Sequence, residues 1–422
     1  MPSPSRNPLK RAAASLKDIK ARHAERRRPS GFAFAIADHI GLLNSDAWNA
    51  VTRGQQFFMQ RSILAAIEAN SPDNLAPRYA LICRGDKPVA AVAAQLVDIS
   101  GRRLWQKPEA TKPMARLIKP TTDKVMGMLE ERMLVAGNLM SWGFHGVTFA
   151  AGENPSEIWP GIAEALYRIR RAEKLHGETN LMLVKDVSAV ESHASALDLF
   201  SYRPMETEPN MVLTLQSSWR HYEDYLSALD AKYRRNSRDQ IKKLAAAGCV
   251  LERVTDLRPI AHQLHALYLN VQSKASVKLV TIPPGYLPAL AEAAGDDFRC
   301  TVVRRDDRIL GFVTSLRDGN TAIGYYIGFD RDAAADGVPL YLRLLHATIA
   351  DAIDWGCQRL SLGRTALEPK AALGAKPEAT EVWLRHRIPA LNWIVRGILD
   401  AVPHAEAPER NPFKLAVEVT EQ

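Results

Sequence analysis

The feature that most constrains this chain is a helix-and-strand pattern that occurs twice. In each copy a proline begins an amphipathic helical pattern, a glycine ends it 17 residues later, and a short apolar run typical of a strand follows. The two copies are Pro160 to Gly177 with the run 180–184, and Pro339 to Gly356 with the run 359–362. Proline in the first helical turn and glycine after the last turn are common helix boundaries. Agreement of the whole frame in both halves indicates an internal repeat.

Strand patterns precede the helix in both halves. In the second half a hairpin turns at Asp306-Asp307 and leads to a glycine- and tyrosine-rich strand over 322–328. In the first half a hairpin turns at Gly85-Asp86, and residues 139–149 are the counterpart of the later strand. Hairpin, strand, helix and strand in each half predict an α+β fold, with a mixed sheet and one crossover helix in each unit.

The predicted organisation is two such units in tandem between two tails. The ranges are a basic tail over 1–30, a first unit over 31–215, a second unit over 216–400 and a C-terminal tail over 401–422. The spacing of apolar residues predicts a further helix from Ser45 to Asn70, ahead of the first hairpin.

The positive charge of the chain is concentrated at its N-terminus. Lys and Arg number 55 against 47 Asp and Glu, a formal net charge of +8. Residues 1–30 hold nine bases and two acids, which leaves 46 bases and 45 acids in the rest. A nearly neutral body argues against a nucleic-acid partner, because binding a polyanion needs a basic surface. The tail is either a disordered arm or a weakly amphipathic helix over 9–23 that binds an anionic membrane surface.

The cysteines and the hydropathy indicate in which cellular compartment the protein is expected. The four cysteines are far apart, so the sequence predicts neither a disulfide framework nor a zinc site, and no metal is expected. The sequence contains no secretory signal pattern and no apolar run long enough to span a bilayer. We expect a cytoplasmic protein, with peripheral binding to the inner face of the membrane as an open alternative.

Two segments of the second half carry a resemblance to a known group of enzymes. One runs from Trp219 to Arg238 and includes Leu226 and the basic sequence 232–238, and the other runs from Leu362 to Gly374. Together with the order of elements, they resemble the GNAT acyltransferase fold used in tandem, in the FemAB-like and BioF2-like branch. The resemblance implies an N-acyltransferase. Members of this branch use different donors, and we favour an acyl-CoA as the co-substrate, with no tightly bound cofactor.

The chain departs from the GNAT pattern at the turn before the second crossover helix. The family carries an Arg/Gln-x-x-Gly-x-Gly/Ala turn whose amides hold the coenzyme A pyrophosphate. Here the turn over 331–339 has one glycine, Gly337. A helix N-terminus still offers unpaired amides and a positive dipole end, so Gly337 and Val338 are expected to bind the donor phosphates.

The strand over 322–328 supplies candidate residues for acyl transfer. Gly324 and Gly328 would let backbone amides approach the thioester carbonyl, and Tyr325 or Tyr326 would donate a proton to the leaving sulfur. We take Tyr326 as the catalytic candidate and Tyr325 as a binding residue. The alternative is strand alternation, which sends one tyrosine to the core and the other outward.

The loop after the last central strand contains Arg364, Glu368 and Lys370. Glu368 is the candidate general base, because a strand's C-terminal end is a common place for a site. The alternative is an Arg364–Glu368 bridge that orients Lys370 toward a phosphate or carboxylate. Flanking cations favour this second interpretation, since they lower the pKa of a carboxylate.

Two further candidates lie outside that loop. His145 is placed near the equivalent cleft of the first unit, where a histidine titrates near neutral pH. The alternative, which the sequence favours, is a hydrogen-bonded core histidine. Arg234 and Arg238 lie four residues apart on a helix, in a cationic stripe with Lys242. That stripe either contacts donor phosphates or is a solvated helix face.

The predicted reaction is transfer of an acyl group from acyl-CoA to a primary amine, with a lipid amine such as a sphingoid base as the favoured acceptor. The basic tail supports a lipid acceptor. So does the segment from Trp383 to Ile398, whose mixture of tryptophan, isoleucine and arginine is typical of an interfacial helix or of core packing. The alternatives are an aminoacyl-tRNA-dependent FemAB-type transferase and a non-catalytic GNAT-fold binding protein. The oligomeric state is not predicted.

Overall fold

The structure is a computed structural model, which describes residues 28–54, 56–100, 130–188, 193–274, 278–388, 391–392, 408 and 410–414. Most of the predicted basic tail and most of the C-terminal tail therefore lie outside the described residues. Among the described residues, no helix is long and apolar enough to cross a membrane.

The described residues form fifteen strands, which we number in chain order. They are β1 (Ala33–Ala37), β2 (Leu75–Arg84), β3 (Lys87–Ser100), β4 (Glu130–Ala136), β5 (Val147–Phe149), β6 (Thr179–Val187), β7 (Arg203–Glu206), β8 (Asn210–Thr214), β9 (Val250–Val254), β10 (Phe298–Arg305), β11 (Arg308–Asp318), β12 (Thr321–Phe329), β13 (Arg359–Ser361), β14 (Lys376–Glu378) and β15 (Glu381–His386).

The α-helices of the described residues are numbered in the same way. They are α1 (Ser45–Thr52), α2 (Arg61–Ala69), α3 (Pro155–Ala172), α4 (Tyr222–Ala228), α5 (Ala231–Ala246), α6 (Ala261–Gln272), α7 (Tyr286–Ala294), α8 (Arg331–Ala335), α9 (Leu340–Asp354) and α10 (Leu367–Ala372).

The strands build two mixed sheets, as the α+β prediction requires. The first has the order β1-β2-β3-β4-β6-β15-β7, with β5 paired to β3, and the second has the order β14-β8-β13-β12-β11-β10-β9. Each sheet contains one parallel pair, β4 with β6 and β12 with β13, and all other pairs are antiparallel. The predicted hairpins are confirmed as β2–β3 and β10–β11.

The internal repeat appears as the two crossovers that join these parallel pairs. Helix α3 connects β4 to β6, and α9 connects β12 to β13. Both helices bury an apolar face against their sheet, through residues such as Trp159 and Ile162 in α3 and Leu344 and Ile349 in α9. Both boundaries of α3 differ from the prediction: the helix begins at Pro155, contains Pro160 in its second turn and ends at Ala172, and a 3₁₀ helix (Glu173–His176) continues to Gly177. The side chain of Asn154 caps this helix by accepting from the Ser156 amide, so the helix starts earlier than its second proline suggests.

Two strands are exchanged between the halves of the chain. Strand β8 precedes the predicted boundary at residue 215 but pairs with β13 of the second sheet, and β15 of the second half pairs with β6 of the first sheet. The two crossing segments touch, since the Thr207 amide donates to the Thr380 carbonyl at 3.1 Å and their hydroxyls are 3.0 Å apart. The units are therefore tied together by main-chain pairing.

Three local predictions differ from the structure. The helix predicted from Ser45 to Asn70 is divided into α1 and α2 by a break that contains the buried residues Phe57 and Phe58. Of the strand predicted over 139–149, only β5 is extended, and β4 takes the place of the counterpart strand. Trp383 lies in β15 and is buried, so the predicted interfacial helix is wrong over the start of its range; most of its later part lies outside the described residues.

Candidate functional site

A cavity lies in the second unit, between α5, the start of α9 and α10. Its volume is about 550 Å³. The turn over 331–339 and the first turn of α9 form one end of the cavity, and His346 lies one and a half helical turns further along its wall. Predicted residues Val338 and Glu368 line this cavity.

The free amides at the start of α9 are not those that the sequence predicted. The Gly337 and Val338 amides donate to the carbonyls of Ala334 and Ala333, and so they close the end of α8. By contrast, no backbone carbonyl among the described residues accepts from the Tyr341 or Leu342 amide. These two amides leave the positive end of a 15-residue helix open toward the cavity.

Helix α5 turns a different face to the cavity from the one predicted. Arg234 donates to the carbonyls of Ser227 and Leu229, where it closes the end of α4, and Arg238 is exposed; neither lines the cavity. The cavity-facing residues of α5 include Lys232 and Gln240. Gln240 is 7% exposed, and its Oε1 atom has no hydrogen-bond partner among the described residues.

The charged residues of the loop after β13 do not lie together. Glu368 is exposed at the cavity rim and pairs with Arg410, whose Nε lies 3.0 Å from Oε1 of Glu368. Arg364 pairs instead with Asp186 of the first unit, so the alternative Arg364–Glu368 bridge is wrong. Lys370 is buried outside the cavity lining, and burial lowers the pKa of its ammonium group to about 7, against the opposing effect of Glu208.

Tyr325 and Tyr326 point to the same side of the sheet. Thr314 of β11 faces both residues at a bulge, because the register shifts between Val313 and Ser315. Both hydroxyls donate to the Met140 carbonyl of the first unit, at 2.8 Å from Tyr325 and 3.1 Å from Tyr326. Burial raises the pKa of both phenols well above the ordinary value. The alternation hypothesis is therefore wrong, and neither tyrosine lines the cavity.

The two glycines of β12 serve packing. A Cβ atom on Gly328 would lie 2.6 Å from the backbone of Leu267 in α6, and one on Gly324 would lie 3.3 Å from Thr348 in α9. Gly328 thus allows a helix to approach the sheet closely.

His145 lies at the junction of the units, away from the large cavity. It is 8% exposed and packs on Phe58, with ring centroids 4.8 Å apart. Burial, together with the nearby Lys185 ammonium, lowers the pKa of the imidazole to about 4. This environment matches the core-histidine alternative.

The parallel strands β12 and β13 separate at their C-terminal ends. Their pairing ends at Ile323 and Ser361, and Trp142 of the first unit packs on Gly363 just beyond this point. The Trp142 indole donates to the Ser361 hydroxyl at 2.9 Å. A first-unit side chain therefore covers the gap between the two central strands.

Two clusters of buried charged or polar residues were not found from the sequence. At the junction of the units, Asp186 binds Lys185 and Arg364 and accepts from the Gly143 amide at 2.8 Å. Its carboxylate is fully buried, and the two cations outweigh burial to lower its pKa. In the sequence, Asp186 follows a lysine near the end of a strand, and this pattern does not indicate a buried ion pair.

The second cluster consists of Tyr222, His346 and Arg343. The Tyr222 oxygen is 2.8 Å from Nδ1 of His346 and 3.3 Å from an Arg343 nitrogen. Burial, and then the Arg343 charge, lower the pKa of His346 to about 3. His346 looks like an ordinary residue of an amphipathic helix in the sequence, so no pattern distinguished it.

Comparison with known families supports the prediction that the second unit is a GNAT-like acyltransferase unit. Residues 231–371 match the model of the acetyltransferase (GNAT) domain. The match covers less than half of the chain, but it contains α5, α9, β12, β13 and most of α10. With the two mixed sheets, it confirms the predicted fold class and the prediction of an acyltransferase.

Solved structures with a similar arrangement share little sequence with this chain. A tandem GNAT protein from the clavulanic acid biosynthesis pathway is 12% identical, with 84% of this chain and 98% of that chain covered and a TM-score of 0.45. FemX is 10% identical, with 79% and 97% covered and a TM-score of 0.43. L-PGS from Bacillus licheniformis is 9% identical, with 80% and 96% covered and a TM-score of 0.44.

These values are too low to transfer a substrate or a catalytic residue. A search of curated proteins finds no significant match.

The Asp186 cluster leads to a prediction about stability. Asp186→Asn keeps the shape of the side chain but leaves Lys185 and Arg364 without a counter-charge, so the free energy of unfolding should fall by about 3–5 kcal/mol. The matched control is Asp198→Asn, which breaks an exposed pair with Arg203 and should cost at most about 1 kcal/mol. Urea unfolding followed by tryptophan fluorescence measures both. Equal losses in the two variants would contradict the structural role of Asp186.

Proposed function

We propose that the protein is an N-acyltransferase that moves an acyl group from an acyl-CoA thioester to a primary amine. The main support is the cavity at the start of α9, which lies within the segment that matches the GNAT domain. Its volume of about 550 Å³ is in the usual range of ligand sites. The free amides of Tyr341 and Leu342, the helix dipole and Lys232 suit the phosphates of the donor.

The reaction needs groups that handle protons as well as a donor site. The acceptor amine must lose a proton before its nitrogen attacks the thioester carbonyl, and the departing sulfur must take up a proton. Among the described residues that line the cavity, Glu368 is the only carboxylate. We assign the general base to Glu368, and Arg410 would release it when the acceptor enters. Tyr326 is a weaker candidate for the acid than the sequence suggested, because its hydroxyl is already bound to Met140.

The donor site can be tested by removing one amide. Leu342→Pro deletes an N–H in the first turn of α9, where proline is tolerated, and Leu342→Ala is the matched control that keeps the amide. Loss of a hydrogen bond to a charged phosphate should weaken coenzyme A binding about 10- to 100-fold in Leu342→Pro alone. Calorimetry with coenzyme A measures the effect, and circular dichroism checks that α9 is retained. Absence of coenzyme A binding by the unmodified protein would refute the acyl-CoA donor.

The assignment of Glu368 predicts a loss of turnover without a loss of donor binding. Glu368→Gln should lower kcat by about 10²- to 10⁴-fold, as expected for removal of a general base, and leave the coenzyme A dissociation constant nearly unchanged. Thiol release from acyl-CoA in the presence of an amine measures kcat. Arg410→Gln is the control, because it frees the carboxylate without removing it. If both variants lose the same activity, the Glu368–Arg410 pair is structural and Glu368 is not the base.

For the acceptor we propose a lipid amine such as a sphingoid base. With Trp383 buried in a strand, the remaining support is the basic N-terminal sequence, which has nine bases and two acids over residues 1–30. We expect the full chain to float with vesicles that contain anionic lipid and a chain without residues 1–30 to float much less, since each basic residue near such a surface contributes about 1 kcal/mol. Equal flotation of the two chains would remove the support for a lipid acceptor.

The same binding experiments test the two alternatives. An aminoacyl-tRNA-dependent transferase would bind RNA with an affinity that falls steeply with salt, and would not need coenzyme A. A recognition module would bind its ligand and show no turnover with any donor and amine. Lys232 is the one Lys or Arg among the described residues that line the cavity, so the cavity offers little counter-charge to a folded RNA; turnover separates the enzyme from a recognition module.

A further inference from the structure

The inner wall of the cavity is backed by a chain of three hydrogen-bonding side chains. Arg343 and His346 of α9 are 6% and 2% exposed, and Tyr222 of α4 lies between their polar atoms. No carboxylate among the described residues pairs with Arg343, and the phenol is its hydrogen-bond partner. A buried cation that binds a neutral hydroxyl is costly, so the arrangement needs a reason beyond stability.

The direction of each hydrogen bond follows from the chemistry of the three groups. Arg343 can only donate, so the Tyr222 oxygen accepts from it. The phenol hydrogen then has one acceptor among its described neighbours, the Nδ1 atom of His346 at 2.8 Å. Because the imidazole is neutral, its single proton must be on Nε2. His346 is therefore held as the Nε2–H tautomer, which donates at Nε2 and has no free basic nitrogen.

The position of His346 along α9 indicates which part of a ligand it meets. The open amides of Tyr341 and Leu342 mark the phosphate end, and His346 lies four to five residues further on, about 6–8 Å along the helix. Both places line the same cavity. Gln240 of α5 also lines the cavity, and its buried Oε1 atom has no hydrogen-bond partner among the described residues. A donor and an acceptor in one cavity are complementary to the C=O and N–H of an amide.

We propose that His346 donates a hydrogen bond from Nε2 to a carbonyl oxygen of the amide-bearing arm of the thioester donor, and that Tyr222 and Arg343 are positioning residues that fix this tautomer. The identity of the ligand rests on the function proposed above, whereas the tautomer does not depend on it. His346 is then a residue that selects donors with an amide arm over donors with phosphates alone.

The titratable surroundings of His346 make its state insensitive to pH. Tyr222 and Tyr225 contact it from α4, Arg343 lies on its own helix, and Lys232 and Glu368 line the same cavity. Burial and Arg343 both oppose the imidazolium. His346 should therefore keep the same tautomer across the pH range in which the protein is folded and active.

The tautomer is tested on the full chain by nitrogen NMR of ¹⁵N-histidine. The chain has eleven histidines, and the His346 signal is assigned by its disappearance in His346→Gln. We expect an Nε2–H pattern that does not change between about pH 6 and pH 8, and a mixture of tautomers in Tyr222→Phe, which keeps the ring but loses the hydroxyl. An Nδ1–H pattern, or protonation near the ordinary histidine pKa, would overturn the proposed relay.

The contact with the donor is tested by comparing two probes. Coenzyme A carries the amide arm, and adenosine 3′,5′-bisphosphate carries phosphates without it. His346→Leu should weaken coenzyme A binding about 5- to 50-fold and leave the bisphosphate within about 2-fold, and His346→Gln, whose amide nitrogen replaces Nε2, should recover most of the loss. Tyr222→Phe should weaken coenzyme A alone by about 3-fold or more.

The outcomes separate the two proposals. If the unmodified protein binds neither probe, the proposed acyl-CoA function fails, while the NMR result still decides the tautomer. If coenzyme A binds and His346→Leu weakens both probes equally, or weakens neither, the assignment of His346 to the amide arm is wrong. If His346→Leu does not fold, the same comparison between His346→Gln and Tyr222→Phe decides, because only Tyr222→Phe should lose affinity for coenzyme A.

Discussion

The exchange of β8 and β15 is the constraint on which the rest of the molecule depends. Each exchanged strand lies directly beside the second strand of a crossover pair, where the loops that carry functional residues begin. The two crossing segments are bonded to each other through Thr207 and Thr380, and Arg364 also donates to the Thr380 hydroxyl. The relative position of the two sheets is therefore fixed by main-chain hydrogen bonds, which are directional and cannot slide without breaking.

The elements that could be predicted from the sequence are those whose turn or boundary residues lie next to them in the chain. The two hairpins have turn residues between runs of strand-forming residues. Gly356, with positive φ, follows the end of α9, and Gly177, also with positive φ, ends the 3₁₀ helix over Glu173–His176 that follows α3. Strand exchange left no such signal, because β8 and β15 look the same whichever sheet they join. The predicted start of α3 at Pro160 was wrong because the cap formed by Asn154 decides where the helix begins.

The sequence indicated which segments of the second unit meet at the cavity better than it indicated which of their residues line it. The turn over 331–339 and the loop with Glu368 do meet at one cavity, since both follow adjacent parallel strands. The predicted residues were wrong where the rotation of a helix or a strand about its own axis decides which side chains face the cavity. Burial of Ser237, Gln240 and Leu244 sets the rotation of α5, so Lys232 faces the cavity and Arg238 faces solvent. The bulge opposite Thr314 turns both tyrosines to the junction of the units, against the alternation of a regular strand.

The two buried clusters differ in their surroundings. One lies at the junction of the units, and the other lies beside the cavity. At the junction, the Asp186 carboxylate is matched to Lys185 and Arg364, so the charges there are used within the protein. Beside the cavity, the phenol of Tyr222 is the hydrogen-bond partner of Arg343, and Oε1 of Gln240 has no partner among the described residues. A buried donor or acceptor without a partner is costly, and the groups beside the cavity are near enough to it for a ligand to supply that partner. The cavity beside this cluster is where we propose that a ligand binds, and Trp142 of the first unit covers the opening between β12 and β13.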